Sequence, residues 1–266
     1  MSGGLDVLSA RVAFRDRGLL DVLDLALRFL AVQARSYAKV SLVVLVPGFA
    51  LSWLAAEEWG WIGGWFVALL LAWFAQIPFT VLASRLVFQS EVRARDVLRT
   101  SLSDLPRLIG VRILWLLAIG VTGAMFGIPA LWPLTVLLFT DEVSLLERAG
   151  GVRALSRSQR IAAGGRGDAF VMVFLLLLIV STATLLADFG GRAIIGDLLQ
   201  FRSPRPFWIE GGSALCLVGL FGIVPYVATA RFFTYLNIRT RAEGWDIQTR
   251  FAAIAHRAER ERESIV

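Results

Sequence analysis

Two adjacent acids, Asp141 and Glu142, close the apolar run "PALWPLTVLLFTDEV", and their type and place make them the first candidates for chemistry in this chain. If a membrane-spanning helix starts near Ile128, Asp141 lies about 20 Å along it, short of the roughly 30 Å thickness of a hydrocarbon core. Ionisable groups at that depth face protein or a polar cavity and find partners. Arg85 and Arg231 follow the prolines of two other apolar runs at comparable distances, and Arg112 sits near the same level. Two uses of such a set are open: a polar pathway for protons, ions or a lipid headgroup, or a structural ion-pair cluster that locks helical hairpins together. The second is the simpler, because buried ion pairs can fix an arrangement even when they add little net stability.

Other chemistry is thinly represented. Cys216 is the only cysteine and His256 the only histidine, so an intrachain disulfide and a cysteine or paired-histidine metal site are excluded. The chain contains no HExxH, GxSxG or GxxxxGK[ST] pattern. No cofactor and no metal is implied, and the expectation is a protein that is not an enzyme. "GGRG" at 164–167 reads as a turn between an amphipathic helix and a span.

The elements that must position these residues follow from the composition. Of 266 residues 57% are hydrophobic and 18% charged, against about 45–50% and 25% in an average soluble domain. Continuous apolar runs predict an all-α integral membrane fold with six spans, at about 40–56, 61–84, 109–126, 128–146, 169–187 and 211–236. The segment before the first run lacks the basic head, apolar middle and small-residue site of a cleaved signal peptide. A six-span domain is expected over 1–243 and a cytoplasmic amphipathic helical tail over 244–266.

Charge location sets the expected orientation. Of the 27 Lys and Arg residues, 24 fall on one side when loops are counted alternately. The positive-inside rule places that side, with both termini, in the cytoplasm. These arginines flank apolar spans instead of forming a separate basic domain, so no nucleic-acid partner is expected. Anionic lipid headgroups at the cytoplasmic face are the expected contact, with a protein partner or a second copy of the chain besides.

A pattern recurs three times. Short amphipathic segments precede the odd-numbered spans, with Leu23, Ala26, Leu27, Leu30 and Ala34 opposite Asp21, Asp24, Arg28 and Arg35 in the first. In the second, Leu98, Leu102, Leu105 and Ile109 oppose Arg95, Arg99 and Ser103; in the third, Val152, Leu155 and Ala162 oppose Arg153, Arg157 and Arg160. The pairs Ala26-Leu27, Val97-Leu98 and Ala154-Leu155 mark these segments, and Pro78, Pro133 and Pro225 mark the even spans. The expected fold is three pseudo-repeated units, each an interfacial amphipathic helix plus a two-span hairpin.

After the last span comes "TYLNIRTRAEGWDIQTR", read as a membrane exit with Arg239 and Arg241 suited to headgroups, Gly244 as helix stop and Asp246 as cap of a second helix. Glu147 is expected to meet Arg157 or to cap the helix that follows it. "LERAGGVRALSRSQRI" and "YLNIRTRAEGWD" together resemble paired signatures of bacterial multipass proteins related to the membrane domain of glycerophosphoryl diester phosphodiesterases. The matching positions are Glu147, Ala154, Leu155, Arg157 and Ser158, then Arg239, Arg241, Glu243, Gly244 and Asp246. In that family catalysis belongs to a separate soluble barrel, for which this sequence has no segment. The resemblance therefore implies a helper module of the bacterial inner membrane, not the hydrolase. The leading expectation is a non-enzymatic scaffold or accessory subunit of a membrane complex; the alternative is a transporter or channel for a small solute, ion or lipid with a polar path near Asp141.

Overall fold

The computed structural model describes residues 18–89, 91–124, 131–202 and 204–243, with the side chains of 242 and 243 left aside. Every regular element among them is helical: α1 (Leu19–Val32), α2 (Ala34–Leu86), α3 (Ala94–Gly123), α4 (Leu131–Val136), α5 (Thr140–Leu146), α6 (Gly151–Ala163), α7 (Arg166–Ala193), α8 (Phe207–Glu210) and α9 (Ala214–Glu243). A π-helical turn, Ile194–Leu198, extends α7. Four of these helices are long and apolar enough to cross a membrane: α2, α3, α7 with its extension, and α9. The chain is therefore a helical membrane protein.

At 53 residues α2 would measure about 80 Å if straight, more than twice a hydrocarbon core. It is not straight. Gly60 has φ 73° and ψ 175°, a backbone conformation essentially confined to glycine, and the chain reverses there. The reversal is visible in the contacts: Tyr37 and Phe79 stack with ring centroids 6.1 Å apart, and Trp53 meets Trp61 edge-on at 6.0 Å.

α9 is the axis on which the rest assembles. The Tyr37 hydroxyl in α2 lies 2.7 Å from Thr229 Oγ1. α1 packs on the same stretch of α9, where Phe29 meets Phe233 edge-on and the Tyr226 hydroxyl donates to the Leu23 carbonyl. Toward α7 the approach is backbone to backbone: a Cβ on Gly219 would come within 2.6 Å of the Ala183 carbonyl oxygen. Small residues are what allow helices to close in this way when lipid offers no hydrophobic reason to associate. Ser213 starts α9 as its N-cap, its Oγ accepting the Cys216 N–H at 3.0 Å.

Two sequence expectations differ from the structure. The second amphipathic segment is not a separate interfacial helix: α3 runs unbroken from Ala94 to Gly123 with Pro106 inside it. The stretch 128–146 is not one helix; α4 and α5 are short and separated by a turn at 137–139. The amphipathic segments bury only part of their apolar stripes against protein. Val22, Leu23 and Ala26, then Val97, Ser101 and Leu108, then Ala154, Ser158 and Ile161 are buried. Leu27, Leu102 and Val152 are at least half exposed. Lipid is as apolar as leucine, so a large apolar side chain need not turn toward protein, whereas small residues must if helices are to pack closely.

Candidate functional site

Four of the five ionisable residues singled out for depth meet in one buried cluster. Asp141 and Glu142 open α5, directly after the turn that interrupts this part of the chain. From α3, Arg112 grips Asp141 with two hydrogen bonds, Nε to Oδ1 at 3.1 Å and Nη2 to Oδ2 at 2.9 Å. From α9, Arg231 pairs with Glu142 at 3.0 Å and reaches Asp141 Oδ2 at 3.6 Å. The same guanidinium donates to the Leu138 carbonyl at 2.7 Å and to Gln76 Oε1 in α2 at 2.8 Å. The turn at 137–139 is what makes the Leu138 carbonyl available to Arg231.

The cluster is buried and balanced. Arg112 is 2% exposed and Glu142 1%, and two guanidiniums face two carboxylates. Arg112 Nη1 has no hydrogen-bond partner among the described residues, but the guanidinium carbon lies 4.6 Å from the Trp73 ring centre and 4.8 Å from that of Phe74. Ring faces attract a cation electrostatically and complete its surroundings there. Arg85 does not join this group. It lies in the last turn of α2 and donates to Thr100 Oγ1 in α3 at 2.5 Å.

Beside the cluster is a cavity of about 240 Å³ bounded by α2, α3, α7, α9 and the α4–α5 region. Arg112, Asp141, Arg231 and Gln76 contribute to its wall at one end; apolar side chains such as Trp115, Leu134 and Leu177 form most of the remainder.

The two motif stretches also meet in space. Arg148 (φ 52°) and Gly151 (φ 54°) turn the chain sharply from α5 into α6. That turn sets Glu147 against Arg157, whose Nε donates to Oε2 at 2.9 Å. Glu147 therefore takes the first of its two expected roles. Its other oxygen accepts from the Tyr235 hydroxyl in α9 at 2.9 Å, and Arg239 Nη1 lies 2.9 Å from that hydroxyl and 3.5 Å from Glu147 Oε1. Ser158 donates to the Val136 carbonyl, tying α6 to the end of α4. Arg241 pairs with Asp168 at the start of α7. Arg239 and Arg241, read from sequence as headgroup ligands, are thus engaged by protein carboxylates. The Glu243 side chain, Gly244 and Asp246 lie outside the described residues.

A third polar set was missed by the sequence reading. Asp188, fully buried near the far end of α7, pairs with Arg192 one turn on at 2.9 Å and accepts from the Ser213 hydroxyl. Arg192 in turn lies over Trp208, 4.5 Å from its ring centre. Its signal in sequence is an aspartate and an arginine four apart, just beyond the apolar run 169–187.

These arrangements join elements. Among the described residues no group of three or more His, Cys, Asp or Glu could hold a metal ion. No family model matches the chain, and comparison with curated proteins and with solved structures yields no match either.

Proposed function

We propose that the chain crosses the bacterial inner membrane six times, with cytoplasmic termini, and acts without catalysis as a scaffold or accessory subunit of a membrane complex. The observation that carries this reading is the pairing of Arg112 and Arg231 with Asp141 and Glu142, which ties α3, α5 and α9 into one charge-balanced lock. A rigid frame is what a scaffold needs, and buried ion pairs are suited to fixing arrangement. Six crossings are supported by the reversal at Gly60 and by 24 of 27 basic residues on one side. The threefold repeat is supported by Ala26, Val97 and Ala154, which occupy matching places and are each 0% exposed. The glycerophosphoryl diester phosphodiesterase membrane-domain resemblance belongs to the same proposal. With Arg239 and Arg241 engaged, contact with anionic headgroups passes to the exposed Arg95, Arg99, Arg153, Arg160 and Arg166.

Cysteine-accessibility labelling on a Cys216→Ser background tests the topology: positions 58 and 202 should label from outside, and labelling of position 160 from outside would sink it. For the role, the tagged full chain is extracted in mild detergent and its mass and composition measured. A stoichiometric partner or a defined oligomer is expected, and a lone monomer would count against the scaffold. A second reading, a solute path near Asp141, is favoured by the adjoining cavity. Flux into liposomes that Asp141→Asn abolishes in a folded protein would replace the first reading with it.

A further inference from the structure

We infer that the cavity beside the ion-pair cluster is a binding site for an uncharged amphiphile, an acyl chain ending in an ester or amide carbonyl. Its shape is that of such a molecule: mostly apolar walls with polar groups gathered at one end. Trp73 and Trp115, with ring centroids 5.2 Å apart, join α2 to α3 along one wall, and Leu134, Leu177 and Val180 contribute opposite surfaces. At about 240 Å³ the cavity far exceeds the room a single water needs and suits a short acyl segment. Water fits these walls poorly, because an ordered water needs two to four polar partners and the apolar part supplies none.

The polar end selects the head. Two arginines and two acids already balance, so an added charge would be buried without a counter-charge. Gln76 accepts from Arg231 through Oε1, which leaves its Nε2 to donate, and Arg112 Nη1 and Arg231 Nε are further donors without a partner among the described residues. A carbonyl oxygen is the matching acceptor. The route in is lateral: Leu177 both lines the cavity and is 55% exposed on the apolar face of α7 that includes Phe174 and Leu178. The inference rests on the membrane placement proposed above but not on the scaffold role.

The test uses the purified full chain in nanodiscs and a ten-carbon monoacylglycerol bearing a photoreactive diazirine in its chain. Saturable labelling is expected on peptides containing Trp73, Trp115 or Leu177, reduced at least tenfold by Val180→Phe or Leu177→Trp. Leu102→Trp, on an exposed apolar position outside the cavity, should label as the unchanged protein does. Two independent filling variants keep the test open if one misfolds. Competition by unlabelled monoacylglycerol identifies a free acylglycerol as the source, and competition by phospholipid alone identifies the ester region of a bilayer lipid; either supports the site. Labelling that never saturates, or that survives filling in a folded protein, overturns it. Competition by the matching fatty acid as effective as that by the glyceride overturns the uncharged head. Failure of the membrane placement would show separately, in the cysteine labelling.

Discussion

The Tyr235 hydroxyl lies 2.9 Å from Oε1 of Glu147, although 88 residues separate the two in sequence, and through it the end of the last long helix is fastened to the turn between α5 and α6. Tyr235 is fully buried, and its hydroxyl also accepts from Arg239. Tyr235→Phe keeps the ring and removes both bonds, so Glu147 retains Arg157 but loses a donor on its second oxygen. A hydrogen bond to a charged group contributes about 1.5–3 kcal/mol, and a loss within that range is expected in denaturant unfolding in mixed micelles. An unchanged midpoint would show that Arg239 alone holds the joint.

The reversal in α2 makes a separable prediction. A Cβ on Gly60 would meet nothing within 4 Å, so any cost of Gly60→Ala is backbone strain at φ 73° and not a clash. Such strain amounts to about 1–3 kcal/mol. Gly120, helical and equally open around its missing Cβ, is the control: Gly120→Ala should be neutral or stabilising by up to about 1 kcal/mol. Thermal unfolding of the two variants side by side reads the difference.

How much of this was legible in sequence depends on which force decides a feature. Apolar runs, basic flanks and the need of Asp141 and Glu142 for counter-charges are dictated by the cost of polar groups in hydrocarbon, and each leaves a mark in composition. Which guanidinium meets which carboxylate is decided by the break at 137–139, and no glycine stands at that break to announce it. Arg85 and Arg231 look equivalent by distance from a proline, yet α2 ends at Leu86 while α9 continues for twelve residues past Arg231. Arg85 therefore ends beside Thr100 and not in the cluster. An amphipathic stripe does not by itself say which of its residues meet protein: Ala26, Val97 and Ala154 do, while Leu27, Leu102 and Val152 lie outward, since lipid is as apolar as leucine.

The set at the far end of α7 supplies a third test. Ser213 donates to the buried Asp188 and caps α9 through the Cys216 N–H, two roles in one hydroxyl. Ser213→Ala removes both. Loss of an N-cap costs about 0.5–2 kcal/mol, and depriving a buried carboxylate of a donor adds to it. Ser213→Thr preserves the oxygen and should recover most of the stability; a threonine variant as unstable as the alanine one would mean that packing, not hydrogen bonding, governs the site.

The Arg112–Asp141 pair decides between lock and path. Removing one member of a buried pair strands the other, which typically costs about 3–5 kcal/mol, while removing both can be nearly neutral. Arg112→Leu leaves Asp141 only the 3.6 Å contact with Arg231, and Asp141→Leu leaves Arg112 with ring faces and no carboxylate. Each single variant should therefore lower the unfolding free energy by about that range, and the double variant by much less than their sum. A coupling energy of about 2 kcal/mol or more in this cycle is expected of a structural lock. If the two effects instead add, and Asp141→Asn folds with unchanged stability yet abolishes a measurable flux, the pair serves a path and the scaffold reading fails at its carrying observation.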